Sequence, residues 1–583
     1  METRNCQSCK GQFTIEPADF AFYEKMKAPP PTFCPDCRFQ RRLAFRNERT
    51  LYRRTCDSCG KNVISDFSSD KPYKVFCNPC WWADTWDGLE YGQEYDSSRP
   101  FFEQFRELQQ KVPIMALVVD YPTLINSEYV NYADNLKNCY LSFDTSKGDN
   151  VYYAKTVFGV KDSMECRMVG EAELCYEDID CGKSSRVFFS EACENSHDIY
   201  FSKNVLGCSN CFGCINLTNK QYYIFNQPYA KEEYGRKLKE FRLDTFSGIE
   251  AARREVEKFW LNYPVKFAHA RHNLNSTGDY FFRSKNAQYM YQTRMVEEGK
   301  YCQFISMGAK DVYDYTEWGN SAQRIYDAVT VGMQADNVKF SHACWDSVMN
   351  VEYSTYVLSS SNIFGSLGLR NKSYCILNKQ YSKEEYEKLR AEIIEDMQKS
   401  PYRDEKGRVF GYGEFFPYDL SLFGYNETTA MEYFPLTKEE ISAHGFRWQE
   451  PGISEYKVTL RDIPESIQEV DDTITKEILE CKSCQKPFRI IQPELNLLRN
   501  FQFPLPRVCA DCRYKDRASH INKPEFYHRA CACAGSNSDN GVYQNQTEHF
   551  HGPQPCPNEF ETSYAPERQE IVYCEACYQS EII

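Results

Sequence analysis

From residue 126 onward, short extended segments with bulky apolar residues at alternate positions recur between stretches of Asn, Asp, Gly, Ser and Lys. They begin at Cys139-Tyr-Leu-Ser, Val151-Tyr-Tyr-Ala, Met164-Glu-Cys-Arg, Cys175-Tyr, Val187-Phe-Phe-Ser, Ile199-Tyr-Phe-Ser, Cys211-Phe-Gly-Cys and Tyr222-Tyr-Ile-Phe, so the first positions follow one another at a nearly constant interval. Strands this short and this regular predict the stacked coils of a parallel, β-helix-like β-solenoid. A β-sandwich also repeats short strands, but its loops vary more and it needs no small residue after each anchor. The spacing leaves open whether one interval closes a whole turn or half of one.

A second array, anchored at Tyr289, Tyr301, Val312, Ile325, Val338, Val351, Ile363 and Tyr374, copies the first. Ser190-Glu-Ala-Cys193 returns as Ser341-His-Ala-Cys344, and Phe212-Gly213 as Phe364-Gly365. Asn219-Lys220, Asn226, Tyr229 and Lys231-Glu-Glu-Tyr234 reappear in one constant register as Asn371-Lys372, Asn378, Tyr381 and Lys383-Glu-Glu-Tyr386. Each array is expected to end in a strand and a helix, near 230–241 and 382–398, covering the open end of a coil stack. A further helix around 248–260 joins the copies.

Cysteine changes the picture at the two ends. Of 28 cysteines in 583 residues, eight lie in 1–80 and nine in 481–577. Most of the terminal ones form C-x-x-C pairs, which in a reducing compartment indicate metal ligation rather than disulfides. Cys6/Cys9 with Cys34/Cys37, Cys56/Cys59 with Cys77/Cys80, and Cys481/Cys484 with Cys509/Cys512 each supply four thiolates to one tetrahedral zinc, closed against catalysis and structural in role. A single ungapped shift of the chain superposes Phe13 on Phe488, Ile15 on Ile490, Pro29 on Pro504, Arg38 on Arg513, Arg42 on Arg517, Arg54 on Arg529 and Cys56 on Cys531. The first site predicts treble-clef geometry, with a small helix opened by Pro17 and a second starting near Cys34. Cys531, Cys556, Cys574 and Cys577 complete a fourth site whose knuckle is split by residues 534–555, and Cys533, His528, His549 and His551 are alternative ligands there. About four structural zinc ions per chain are expected.

The middle cysteines read differently. Cys139, Cys175, Cys193, Cys211, Cys344 and Cys375 stand where neighbouring coils have Val, Ile or Tyr, so they are expected to fill the interior. Cys208, Cys211 and Cys214 also form a C-x-x-C-x-x-C run that could bind metal, although the second array has no counterpart. The aromatic content of 15% fits ladders inside and outside the coils, or a carbohydrate-stacking face.

The expected fold is mainly β: a duplicated solenoid flanked by treble-clef and zinc-ribbon (zinc-finger-type) modules, with a few capping helices. Its order is a treble-clef module (1–55), a ribbon (56–98), the first array (115–229), a helical connector (230–278), the second array (279–381), a capping helix (382–400), a linker region (401–470), a second treble clef (471–530) and a split ribbon (531–583). With no basic segment leading into an apolar run at the N-terminus, and no apolar stretch near the roughly 18 residues of a membrane span, a cytoplasmic protein is expected.

The stretches CPDCRFQRR, CADCRYKDR, SSDKPYKVFCNPCWW, GYGEFFPYDLSLFGYNETTAMEYFPLTKEE and FETSYAPERQEIVYCEACYQ resemble a family of uncharacterised bacterial proteins with several zinc ribbons and treble clefs. The resemblance covers most of the chain and implies zinc binding, with no activity to carry across. SSDKPYKVFCNPC is also similar to the closing half of small bacterial zinc ribbons, a pattern from which the split knuckle departs.

Charge supplies the functional expectation. The chain carries a net charge of -14, yet residues 34–54 balance at +5 and 507–531 at +3. Arginine forks on a metal-braced helix suit phosphate, so Arg38, Arg41, Arg42, Arg54, Arg513, Arg517 and Arg529 are candidate nucleic-acid contacts, RNA favoured, with Phe39, Phe45 and Tyr52 placed to stack on bases. The competing reading is that these arginines pair with solenoid carboxylates or brace the zinc. A second function class is a scaffold for protein partners along an acidic solenoid. A third is a polysaccharide-binding or polysaccharide-cleaving β-helix, with Glu177, Asp178 and Asp180 as the carboxylates at hand. No HExxH, P-loop or nucleophile elbow is present, so no catalytic residue is assigned.

Overall fold

A computed structural model of the chain describes residues 1–452 and 456–582. Residues 453–455, within the expected linker, and residue 583 lie outside the described residues. The chain forms two compact units, each built from two separated stretches: residues 1–117 with 268–450, and residues 118–267 with 451–583. Each unit thus contains one terminal module and one solenoid array, and the N-terminal module belongs with the second array rather than the first. Among the described residues, no helix is long and apolar enough to cross a membrane.

In the first array, one anchor interval makes a whole coil. Val130 pairs in parallel with Ser142, Val187 with Ile199, and Ile199 with Cys211. The repeat inside a coil has a period of three, not the two that alternating apolar positions suggested. Every third residue turns through the left-handed region, as at Asn135, Asn138, Leu141, Asp144, Lys147 and Asn150, with φ between 48° and 56°. Asn, Asp and Gly tolerate that conformation best, which explains their abundance between anchors. The residue after each such corner points inward: Ala133, Leu136 and Cys139 in one coil, then Val151, Ala154, Val157 and Val160 in a later one. Sides this short enclose a narrow interior, so the inward residues are small. Cys139, Cys175, Cys193 and Cys211 are among them, and Cys344 and Cys375 occupy the same place in the second array.

The small residue after each anchor has a second cause. Inward serines hydrogen-bond from coil to coil: Ser184 Oγ accepts from Ser196 N at 3.1 Å, Ser190 Oγ from Ser202 N at 3.0 Å, and Ser202 Oγ from Cys214 N at 3.1 Å. Outside, Asn126, Asn138, Asn150 and Asp162 form an amide ladder of 3.1, 3.0 and 2.7 Å steps.

The second array departs from this interval for a local reason. At Asn320-Ser321, Met333-Gln334 and Asp346-Ser347 two successive residues take the left-handed conformation, which inserts an extra residue in each coil. Val312 consequently pairs with Ile325, Ile325 with Val338, and Val338 with Val351, each partner standing a position further along than in the first array. Both arrays close alike. Asn226 accepts from Ile215 N at 3.0 Å and donates to Ile215 O at 2.9 Å, while Asn378 makes the same two bonds to Leu367, each 2.8 Å. An antiparallel hairpin then ends each stack. The helices Lys231–Glu240, Phe246–Trp260 and Lys383–Lys399 lie where the sequence predicted. Lys383–Lys399 runs along the flank rather than across the end: Tyr386 packs on Tyr374 and Arg390 reaches back to Glu352 at 2.5 Å.

Residues 401–450 are no linker. Phe410, Phe415, Phe416, Tyr418, Leu420, Phe423 and Tyr425 are all buried, because the aromatic side chains of this irregular stretch fill the space between module and coils. Phe45, for instance, lies 5.1 Å from Phe415 and 5.7 Å from Phe416.

Candidate metal centres and their arginine struts

The metal modules are assembled from repeated local pieces. In each unsplit knuckle the N–H of the first cysteine bonds a carbonyl just past the second: Cys6 to Gly11 at 2.8 Å, Cys56 to Lys61 at 2.9 Å and Cys481 to Lys486 at 3.0 Å. The residue before that carbonyl is left-handed: Lys10, Gly60 and Gln485, with φ of 65°, 73° and 62°. The second pair of each site opens a helix. Cys34 caps Pro35–Leu43, Cys77 caps Asn78–Trp82 and Cys509 caps Ala510–Ser519. Backbone N–H groups there meet the first sulfur, with Cys77 N to Cys56 Sγ, Cys509 N to Cys481 Sγ and Cys574 N to Cys531 Sγ each at 3.2 Å. The positive end of a helix favours thiolate.

Four sets of four sulfurs result, each within 4.8 Å: Cys6, Cys9, Cys34, Cys37; Cys56, Cys59, Cys77, Cys80; Cys481, Cys484, Cys509, Cys512; and Cys531, Cys556, Cys574, Cys577. Measured sulfur separations are 3.7 Å for Cys9–Cys34, 3.8 Å for Cys59–Cys77, 3.7 Å for Cys484–Cys509 and 3.8 Å for Cys556–Cys574. A tetrahedron with metal–sulfur bonds of about 2.3 Å has an edge of about 3.8 Å. The sets therefore have the dimensions of a metal site, and none of these pairs is close enough for a disulfide.

Their electrostatics point the same way. Burial raises the Cys481 thiol, yet hydrogen bonds from the N–H groups of Cys484 and Cys509 outweigh it and bring the thiol down to about 6. Cys56 is lowered to about 7 against the same burial, by Cys77 and Cys59. In the fourth set Cys574 falls to about 4, chiefly through its bond to Cys531. Their partners Cys77, Cys509, Cys512 and Cys577 are pushed up, burial being the largest cause. One sulfur per set ionises readily on its own, and a bound cation is what would hold the rest as thiolates.

All sixteen cysteines expected as ligands fall into these sets. Cys533, His549 and His551 replace none of them and gather beside Cys577 instead. His528 is exposed, between Glu559 and Glu561 at 3.0 Å each. Cys208, Cys211 and Cys214 lie in the solenoid interior with Val205 and Ile199. The Cys208 thiol contacts the carbonyls of Leu217 and Leu206, at 3.4 and 3.5 Å.

The arginines expected to meet phosphate point into the protein. Arg38 pairs with Asp314 at 2.9 Å, and Arg42 with Asp327 at 2.8 Å and Asp314 at 3.4 Å. Arg41 pairs with Glu414 at 3.1 Å and Asp327 at 3.2 Å and stacks on Phe33. Side-chain exposure of these three is 2% or less. In the other unit, Arg513 binds Glu165 at 2.8 Å and Glu494 at 3.0 Å, and Arg517 also pairs with Glu165. Arg54 is buried against Asp57 at 2.9 Å, and the half-buried Arg529 donates to the carbonyls of Ala565 and Tyr564. Phe39 and Phe45 are buried, and the Tyr52 hydroxyl donates to Glu427 at 2.7 Å. Of the carboxylates offered for glycoside cleavage, Asp178 points inside the coil and accepts from Ser190 N, while Glu177 pairs with Arg253.

The carboxylate receptors were not singled out from the sequence, although a signal existed. One corner of each coil lies beneath the module. In the first array that corner runs Leu141, Tyr153, Glu165, Glu177, Phe189, Phe201, Gly213, Phe225. In the second it runs Tyr289, Tyr301, Asp314, Asp327, Phe340, Tyr353, Gly365, Leu377. From the second position onward the order is the same in both: Tyr, two acids, two aromatics, Gly, apolar. Phe188, Phe189 and Phe201 are covered by Leu495, Leu498, Phe501 and Phe503. These aromatics are therefore module contacts.

Fold and sites together define a class: a duplicated β-solenoid whose corner carboxylates dock four-cysteine modules with the dimensions of metal sites. Comparison with protein-family models, characterised proteins and solved structures gave no match.

Proposed function

We propose that the protein is a non-enzymatic, zinc-stabilised scaffold that presents acidic solenoid surface to protein partners. The observation that carries this reading is the direction of the module arginines. Arg38, Arg41, Arg42, Arg513 and Arg517 neutralise carboxylates inside each unit, so the basic groups most suited to phosphate are withdrawn from solvent. A chain of net charge -14 then offers its surplus acids outward. Zinc is favoured over other ions by four-sulfur sets with no open position. A basic protein surface is the complementary partner.

Binding to nucleic acid is the competing reading, and it would use exposed basic groups of the modules such as Arg53, Lys482, Lys486, Lys515 and Lys523. The full-length protein, cross-linked in extract after nuclease digestion, should recover defined basic partners whose yield falls as salt rises. Saturable binding of labelled RNA with a salt slope of several ions would overturn the scaffold reading.

A further inference from the structure

Residues 534–555, which split the last knuckle, have no counterpart in the first ribbon, where Cys59 follows Cys56 directly within one turn. The insertion brings His549 and His551 to Cys533 and Cys577, and one donor atom from each of the four lies within 4.8 Å of the others. Cys577 is also a member of the Cys531, Cys556, Cys574 set. We propose that these seven side chains hold two metal ions joined through Cys577 Sγ, so that the chain binds five ions rather than four. The proposal rests on the reading that the four-cysteine sets take zinc.

The geometry is that of a second tetrahedron sharing one vertex with the first. His549 Nδ1 lies 3.3 Å from Cys533 Sγ, and His551 Nε2 lies 3.5 Å from Cys533 Sγ and 3.2 Å from Cys577 Sγ. Nitrogen and sulfur on one zinc are separated by about 3.5 Å. The outer ring nitrogens are already engaged. His549 Nε2 meets Glu581 at 2.8 Å, and Glu581 is itself fixed by the Tyr543 hydroxyl and by the N–H groups of Gln546 and Thr547. His551 Nδ1 donates to Gln554 O at 2.7 Å. Both imidazoles thus turn a lone pair toward the sulfurs, with an orienting partner behind each, as metal-bound histidines do.

With His551 neutral, hydrogen bonding alone does not satisfy this arrangement once the neighbouring set is loaded. Cys577 is then a thiolate without a proton, and His551 Nε2 would face it lone pair to lone pair at 3.2 Å. A second cation between them removes the conflict. It also leaves five thiolates against two divalent ions, a net charge of -1, where a lone four-thiolate site carries -2. The burial of Cys533, Cys577 and His549 makes that difference count.

Elemental analysis and native mass spectrometry of the full-length protein should find five zinc ions per chain. Replacing His549→Ala with His551→Ala should leave four, and His549→Cys with His551→Cys should restore five. In wild-type protein exchanged with cadmium-113, two of the five resonances should show scalar coupling to each other through the shared sulfur, a readout that depends on no variant folding. Four ions in both wild type and the alanine variant, or five cadmium resonances without a coupled pair, would overturn the shared site. A metal-free wild-type chain would instead remove the zinc reading beneath it.

Discussion

Arg42 shows what a buried charge does here. Its guanidinium is fully enclosed, donates to Asp327 at 2.8 Å and Thr316 at 3.0 Å, and lies 3.4 Å from Asp314. Two charges in a low-dielectric setting contribute little net stability as a pair, but removing Arg42 leaves Asp314, Asp327 and Glu414 with only Arg38 and Arg41, one buried negative charge in excess. Arg42→Ala should therefore cost about 3 to 5 kcal/mol in urea unfolding of the metal-loaded protein. A loss under about 1 kcal/mol, the range of an exposed pair, would contradict the enclosed network. The sequence displayed these arginines plainly but not their direction. Arg42 and its partners Asp314 and Asp327 stand far apart along the chain, and a run of arginine looks the same whether it faces water or a carboxylate.

The coil is an element whose period was half legible. The anchor interval was visible because Val, Ile and Tyr recur at it, and the longer steps of the second array match the paired left-handed corners at Asn320-Ser321, Met333-Gln334 and Asp346-Ser347. The short side of each coil was hidden. Interior Cys, Ala, Ser and Val differ little in pattern from polar neighbours, while the bulkiest residues, such as Tyr153 and Phe189, face outward under a module. The closing asparagines were visible as the repeat that carries Asn226 onto Asn378, and their chemistry makes a prediction. Asn378 is completely buried and also donates to Gly88 O at 2.9 Å, whereas Asn226 is half-buried. Asn378→Ala should cost about 1 to 3 kcal/mol and speed amide exchange at Leu367 and Ile376. Asn226→Ala should cost less. Equal costs at the two positions would show that burial does not set the value of this cap.

At the scale of the whole molecule, sequence duplication and spatial pairing follow different rules. One shift of the sequence carries Cys6 onto Cys481 and relates the two treble clefs, and another carries Asn226 onto Asn378 and relates the two array ends, yet neither says which module joins which array. The choice becomes legible only from the corner column, where Asp314 and Asp327 receive the N-terminal arginines and Glu165 receives the C-terminal ones. Coupling through those ion pairs is testable by removing the metal. The knuckles hold Arg38 and Arg513 in place, so stripping metal from the intact chain should release both helices and strand the carboxylates. Hydrogen exchange should then rise roughly tenfold or more in residues 309–332 and around Glu165, far in sequence from any cysteine ligand. The variant Cys34→Ser with Cys37→Ser should reproduce the change in 309–332. If the coils keep full protection while the modules lose theirs, the arginine struts do not couple metal to solenoid, and the modules are accessories rather than parts of each unit's core.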